Sequence, residues 1–563
     1  MDFDDQPAAP LPDLTSADRM TEHRAPGTQR GAYRWYVLGV LMAALALSLI
    51  DRQILTILAG PVKADLNLSD AELGLLYGTA FAVFYSLFGI PLGRLADAWV
   101  RTRLMALSLL GWSAMTIFSG LATNLMQLSI ARMGVGVGEA TANPVAYSLL
   151  SDYFPKEKRA TAIAIYSSGV ALGVGGSLWA GGAVVDLWTH WFGTGPTPFG
   201  LKGWQAAFIA VGLPGILLAG LVLSLREPER GATDGMPQSA RTTAPWSAFW
   251  AEVFAILPPF TVLNLVRLKA PRAVWRTHIL VVLGIAAVAT AMAIFTNAIE
   301  PAAKRHVLFV IGNFEITGHT LQWTALSIGI YGVFAWAQSL RLRDAPAFAL
   351  IWKSPPMVAL LAAAALEMIT NYGLTAFTPF YAVTTFHMPL ARVGLEMGIV
   401  AGLAGLIGTN LGGIAADYFR GKNPSGRLYV SLFAMVAPVP LVPVMLAAPT
   451  LEILLAWWML VGTIVTAWLA GIASSTQDLV LPRMRGTSAA ALTLSMTMIG
   501  LGLGPYSAGL VADVTGSLYT GIVSVYAVVP LTALCMIIAI RTIGKTEATL
   551  LDRARAAGEP LSP

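Results

Sequence analysis

The chain has 563 residues, 56% of them hydrophobic and only 12% charged, with a mean hydropathy of +0.66. A soluble globular domain carries about 25% charge, so this composition excludes one and indicates a polytopic membrane protein. The single cysteine, Cys535, excludes an intramolecular disulfide and a cysteine metal site.

Residues 1–30 are polar and contain proline but no apolar stretch of the kind a signal peptide needs, so they read as a disordered cytoplasmic tail. Spanning a bilayer takes about 20 apolar residues. Such runs are expected at 34–59, 71–97, 102–122, 126–150, 160–187 and 204–225, forming a first six-helix bundle over 31–226. A second series at 356–383, 391–416, 427–447, 452–478, 486–513 and 518–541 forms a bundle over 356–542, followed by a cytoplasmic tail at 543–563. The central region, 227–355, holds two more runs at 278–297 and 321–340, read as an inserted hairpin. The expected fold class is therefore all-α and polytopic, with about fourteen transmembrane helices. The segment PWSAFWAEVFAILPPFTVLNLVRL, broken at Pro258-Pro259, reads as an interfacial helix on the inner leaflet. The hairpin has no Asp, Glu, Lys or Arg in its apolar runs and reads as a peripheral addition.

One pattern occurs twice. GRLADAWVRTR begins at Gly93 and GIAADYFRGK at Gly413, each at the end of an apolar run and each with an aspartate four residues on, Asp97 and Asp417. Basic residues follow: Arg101 and Arg103 in one case, Arg420 and Lys422 in the other. A duplicated helix-end motif indicates two homologous halves, the construction of many secondary transporters. A carboxylate at such a position can accept from a neighbouring helix N-terminus and so act as a gate. Lys and Arg are retained on the cytoplasmic side. With the N-terminus inside, only Lys63, Lys202, Lys304, Arg305 and Arg392 of the 36 fall outside, and Arg52 and Arg132 fall within the membrane. This placement accounts for the net charge of +5 without nucleic acid, and it puts both motifs and both termini on the cytoplasmic side.

Charge inside a bilayer costs at least ~2.5–3.5 kcal/mol per residue, so Asp51, Arg52, Arg132, Glu139, Glu367 and Glu396 need partners or a polar cavity. Arg132 and Glu139 are seven apart and share a helix face, roughly 10 Å apart along the axis. The expected pairs are Arg52 with Glu139 and Asp51 with Arg132. Two readings fit this network: a static clamp between helices, or a carboxylate that takes up a proton as its pair breaks and reforms. Gly134, Gly136 and Gly138 between them suit close helix packing, and the lack of a preceding strand speaks against a phosphate loop.

These residues resemble the major facilitator superfamily. GRLADAWVRTR is similar to that family's loop between its second and third helices, with Ala98 and Val100 departing from the usual Arg and Gly. Within the family, LIDRQIL at 49–55, ARMGVGVGEATANPVAYSLLSDYFPKEKRATAIAIYSSG at 131–169 and GWQAAFIAVGLPGILLAGLVL at 203–223 resemble the Spinster-like group. The resemblance implies a transporter of sphingolipids or lysolipids. The two-helix insert is also similar to that of bacterial proton-dependent peptide transporters, whose ExxER motif in the first helix is absent here.

The expected function is a proton-coupled secondary transporter of the cytoplasmic membrane, not an enzyme. It would move a small amphipathic or lipid-like substrate as a monomer, without cofactor or metal. Asp51, Arg52, Arg132 and Glu139 would form the coupling network, and Gly93, Asp97, Arg101, Gly413, Asp417 and Arg420 the cytoplasmic gate. Tyr166, Glu367, Asn371, Tyr372, Phe377 and Tyr381 would contact substrate. An organic-acid or drug transporter, or a non-transporting sensor or scaffold, remains the alternative.

Overall fold

The computed structural model describes residues 31–560 except 194, 231–243, 268 and 313; the expected N-terminal tail at 1–30 lies outside them. The first half contains α1 (Gly31–Leu66), α2 (Asp70–Ala98), α3 (Arg101–Ser119), α4 (125–153, as Leu125–Glu139 and Ala142–Tyr153), α5 (Lys156–Phe192) and α6 (Gly203–Leu223). The insert contains α7 (Pro245–Ile256), α8 (Phe260–Arg267), α9 (Arg272–Ile299), a hairpin of β1 (Val307–Ile311) and β2 (Phe314–Thr317), and α10 (Gly318–Arg343). After α11 (Ala345–Trp352), the second half contains α12 (Pro355–Phe386), α13 (Leu390–Arg420), α14 (Gly426–Leu446), α15 (Leu451–Asp478), α16 (Pro482–Thr515) and α17 (Leu518–Ala548). A short α18 (Leu550–Ala556) follows, so helix continues into the expected tail.

Among the described residues, eleven helices are long and apolar enough to cross a membrane, twelve if α7 and α8, bent by 105° at their break, count as one span. The expected fourteen is not confirmed. Helices α3, α4 and α10 were counted among the fourteen and are not among the eleven. Each carries polar side chains: Arg101 and Arg103 in α3, Arg132 and Glu139 in α4, His319 and Gln322 in α10. Helix-forming residues whose polar groups are met by protein do not need the uniform apolarity of a lipid-facing span.

Local signals set several boundaries. Ser69 and Glu72 form a reciprocal capping box that starts α2. Asn124 caps α4 and Thr317 caps α10 by accepting backbone N–H bonds. Helix α2 is interrupted at Gly78, where a Cβ would stand 2.1 Å from the Leu501 carbonyl oxygen on α16, so only glycine allows that approach.

The halves meet along α5 and α13 and along α2 and α16, with α1 also touching α12 at Gly60 and Phe380. Along α5 and α13 the closeness is graded. A Cβ would stand 2.6 Å from Leu390 at Gly182, 2.2 Å from Leu178 at Gly394, and 2.6 Å from Gly175 at Gly398. At Gly402 the nearest atom of Ala171 is 3.6 Å away, and Gly405 has open space. The helices are thus tight at the end opposite the two aspartate motifs and part toward the motif end.

The second seam, between α2 and α16, is closed at the same far end. Ala71 N–H donates to Asp513 Oδ2 at 2.7 Å, and a Cβ at Gly509 would meet the Asp70 carbonyl at 2.1 Å. Helix α10 lies in this seam, which corrects its expected peripheral place. Gln322 Nε2 donates to the Gly502 carbonyl of α16 at 2.9 Å, Gly329 packs on Met498 and Val83, and Gly332 on Leu87. Its glycines make room for side chains of both halves, a fit that hydropathy does not report. Helix α9 is the outer member of the hairpin, with its apolar side chains exposed.

Candidate functional site

The first half encloses a cavity of about 250 Å³ lined by Leu45, Ser48, Leu49 and Arg52 of α1, Tyr85 of α2, Glu139, Ala142, Asn143 and Tyr147 of α4, and Ser167 and Val170 of α5. The α1 residues sit at helical spacings of three, four and seven, so they form one stripe. Likewise Glu139, Asn143 and Tyr147 recur every four residues along α4.

Arg52 Nη2 donates to Glu139 Oε2 at 2.9 Å, and Ser48 Oγ donates to the same oxygen at 2.9 Å. The guanidinium lies over the rings of Phe81 at 4.5 Å and Tyr85 at 4.9 Å, and its Nε has no hydrogen-bond partner. Cation–π contact with two rings offsets part of the desolvation of a buried arginine. Glu139 keeps Oε1 without a partner. The site therefore holds a cation and a carboxylate that are paired through one oxygen, each with unused hydrogen-bonding capacity.

Asp51 does not pair with Arg132. Arg132 Nη1 and Nη2 donate to the backbone carbonyls of Asp51 and Arg52, at 2.8 and 3.1 Å. The Asp51 carboxylate is fully buried beside Trp112 and Thr116 of α3, and Arg132 acts on it electrostatically without forming an ion pair. Successive helical residues point about 100° apart, so Arg52 faces the cavity while Asp51 turns behind it. Gly136 and Gly138 allow this packing: a Cβ would stand 2.6 Å from the Phe81 carbonyl at the first and 2.7 Å from Trp112 Cβ at the second.

None of the six expected substrate residues lines this cavity. Tyr166 is buried behind it and donates to Asn143 Oδ1 at 2.9 Å, so it orients a lining residue. Tyr372 of α12 interacts electrostatically with Arg52 from the other half. Tyr381 donates to the Leu446 carbonyl at 2.7 Å, away from the cavity, and Phe377 is core. Glu367 is buried against Tyr526, with its Oε2 and the Tyr526 hydroxyl both without partners. Asn371 is half-buried on the same helix. The residues missed were Ser48, Tyr85, Asn143, Tyr147 and Ser167. Counting one helical turn from Arg52 and Glu139 would have found Ser48 and Asn143.

The two motifs differ from the expected gate. Asp97 is exposed and has no hydrogen-bond or ion-pair partner among the described residues. Arg101 is buried between Asp152 of α4 and Glu227, the latter at 2.7 Å, and donates to Ser148 at 2.7 Å. Arg230 donates to the Ala96 and Trp99 carbonyls at 2.7 and 2.8 Å, closing the end of α2. In the second half, Arg427 at the start of α14 takes Asp417 at 2.9 Å and Asp478 of α15 at 2.7 Å, while Arg420 pairs with Glu547. In each half, then, an arginine beginning the third helix is held by an aspartate ending the fourth. These clusters tie helices within one half; among the described residues, neither motif reaches across to the other. Where the Gly93 and Gly413 backbones lie, a Cβ would meet nothing within 4 Å and Ala470 at 3.8 Å respectively.

At the far end the insert bridges both halves. Lys304 pairs with Asp513 at 3.0 Å, His306 Nδ1 lies 3.0 Å from Glu72 Oε2, and His319 lies 2.7 Å from the Tyr506 hydroxyl and 3.0 Å from Glu300. At the motif end, Arg483 binds both Asp344 and Glu559 and holds their carboxyls below the usual carboxylate range. No group of three or more His, Cys, Asp or Glu placed to hold a metal occurs among the described residues.

The family model of the Major Facilitator Superfamily matches residues 41–505. The chain is 23% identical over 501 residues to an MFS-type efflux pump of Mycolicibacterium smegmatis, covering 89% of this chain and 87% of that one. It is 27% identical over 251 residues to Protein spinster homolog 1 of Rattus norvegicus, covering 44% and 43% respectively. A crystal structure of a bacterial homolog to the human lysosomal transporter Spinster, inward-facing and unoccupied, superposes with a TM-score of 0.63 at 24% identity, covering 93% of this chain and 98% of that one. The fold with its two repeated motifs and the family match over most of its length together make this chain a member of the major facilitator superfamily, a membrane transporter rather than an enzyme.

Proposed function

We propose that the chain is a proton-coupled secondary transporter that moves an amphipathic, anionic organic substrate by alternating access. The observation that carries this reading is the single ion pair of Arg52 and Glu139 on the wall of a cavity. A substrate anion that takes Arg52 leaves Glu139 buried without its cation. A carboxylate so stranded takes up a proton, because burial disfavours its charged form. When the anion leaves, Arg52 draws Glu139 back and the proton is released. Asp51, buried and without an ion-pair partner, is a second place for a proton on the same helix.

With the basic residues on the cytoplasmic side, the motif end is cytoplasmic, as are both termini, in the inner membrane. The parted motif end and the closed far end then correspond to an inward-open state. The chain would act as a monomer and need no cofactor.

The cavity volume favours a second reading of the substrate. Drug-sized ligands occupy about 300–1,000 Å³, so ~250 Å³ suits a compact organic acid. A lipid-like substrate would place its headgroup there and its chains where α5 and α13 part.

Reconstituted protein in liposomes under an imposed proton gradient, presented with lysolipids, sphingolipids, sugar acids and drugs, tests this. Gradient-driven flux of one class, lost in Glu139→Gln, is expected. Binding without flux would identify a sensor, and flux unaffected by Glu139→Gln would sink the coupling assignment.

A further inference from the structure

The junction of α8 and α9 concentrates positive charge that no ion pair neutralises among the described residues. Arg267 ends α8, Lys269 follows it, Arg272 begins α9 and Arg276 lies one turn further. All four are exposed, and none has an ion pair or side-chain hydrogen bond among the described residues. The first turn of α9 contains no acidic residue.

The same elbow presents an apolar, aromatic surface. On α7, Trp246 and Trp250 are about half exposed, at 47% and 50%. On α8, Val262, Leu263 and Val266 are exposed. The opposite face is core: Phe249, Val253, Ile256 and Leu265 are buried. The next helix in the chain, α9, exposes Ile279, Leu280, Val282 and Leu283 in a stretch whose mean hydropathy reaches 2.5. Tryptophan beside basic residues at the end of a lipid-facing helix is placed at the depth of headgroups.

Topology alone asks only that cations be on this side. It does not ask that four of them stand within ten residues without an ion pair among the described residues, in a segment that also exposes two tryptophans on α7. A surface with apolar anchors and a cluster of exposed cations is complementary to a molecule with acyl chains and a net negative headgroup.

We propose that the α7–α8–α9 elbow is a docking site for anionic phospholipid headgroups, and that the bound lipid holds α7 against the first aspartate motif. The second part rests on Glu252, on the buried face of α7. Its Oε1 accepts from Arg343 of α10 at 2.7 Å and lies 3.6 Å from Arg94, the residue after Gly93. Lipid on one face of α7 thus steadies a carboxylate that ties the insert to the end of α2. The proposal does not depend on which substrate is carried, or on whether transport is proton-coupled.

The test uses the full chain in phosphatidylcholine nanodiscs, titrated with phosphatidylglycerol. Retained lipid is read by native mass spectrometry and stability by Tm. Each cation near an anionic surface contributes about fivefold to binding. Wild type should therefore retain phosphatidylglycerol over phosphatidylcholine and gain Tm, and Arg267→Gln/Lys269→Gln/Arg272→Gln/Arg276→Gln should lose at least tenfold of that preference. Should the fourfold variant fail to fold, Lys269→Gln/Arg276→Gln is expected to lose part of it. Equal retention of the two lipids by wild type, or an unchanged preference in the variants, overturns the site. A Tm gain matched by soluble glycerol phosphate overturns the membrane as its source. Glu252→Gln should keep the lipid preference and lose the lipid-dependent Tm gain; a full gain in that variant overturns the link to the motif.

Discussion

Arg52 and Glu139 meet through one nitrogen and one oxygen, 2.9 Å apart, on the wall of a cavity, while Arg52 Nε and Glu139 Oε1 have no partner. Removing one member of a buried pair costs about 3–5 kcal/mol, because the other is left charged and unpaired. Glu139→Gln and Arg52→Gln should each lower Tm in detergent, and the double variant should be more stable than either. Additive losses in the double variant would show that the pair is not coupled.

Asp51 separates stability from coupling. Its buried carboxylate forms no ion pair, so Asp51→Asn should leave Tm unchanged or raise it, since a buried charge without an ion-pair partner is costly. Proton-driven uptake should nevertheless fall at least tenfold. A large loss of Tm with normal uptake would assign Asp51 to structure alone.

Asp513 holds the far end shut by accepting from Ala71 N–H and pairing with Lys304. Asp513→Asn should loosen that closure. With Cys535, the single cysteine, replaced by serine, a cysteine introduced at Val514 or Leu68 should react faster with a membrane-impermeant thiol reagent in the Asp513→Asn background. Equal rates would remove Asp513 from the closure.

The α5–α13 seam predicts a positional contrast. At Gly398 a side chain would overlap Gly175, and overpacking costs typically ~1–3 kcal/mol. Gly405 faces open space. Gly398→Leu should lower Tm and Gly405→Leu should not; similar effects at both would mean the helices do not part as described.

The strap of Arg483, Asp344 and Glu559 predicts a pH dependence. Both carboxyls are held below their ordinary values by the guanidinium. A depressed carboxyl contributes stability above its unfolded value, lost as pH falls through the folded one. The protection of backbone amides at 550–559, exchange rate corrected for its intrinsic pH dependence, should be high at neutral pH and fall below about pH 4. Arg483→Gln should abolish that dependence, and an unchanged profile would discount the strap. The groups are partly exposed, so the effect is local.

The two six-helix series, the insert and the paired motifs were legible because hydropathy and motif spacing are local properties of the chain. Arg52 and Glu139 were legible as a pair because charge in a membrane demands a partner. The Asp51–Arg132 pairing was misread because sequence distance along a helix gives height but not direction around it. Asp51 and Arg52 are neighbours in the chain and face opposite surroundings.

By itself, the sequence determined that this is a duplicated membrane bundle with charge buried on its first and fourth helices, since apolar runs and isolated charges have few physical solutions in a bilayer. Only the tertiary structure decided where those charges point, that Arg101 and Arg427 are held within their own halves, and that α10 of the insert lies in the seam between α2 and α16. Those outcomes depend on which helix faces meet. That choice is made by glycine clefts and side-chain fit between segments hundreds of residues apart, and no local pattern carries it.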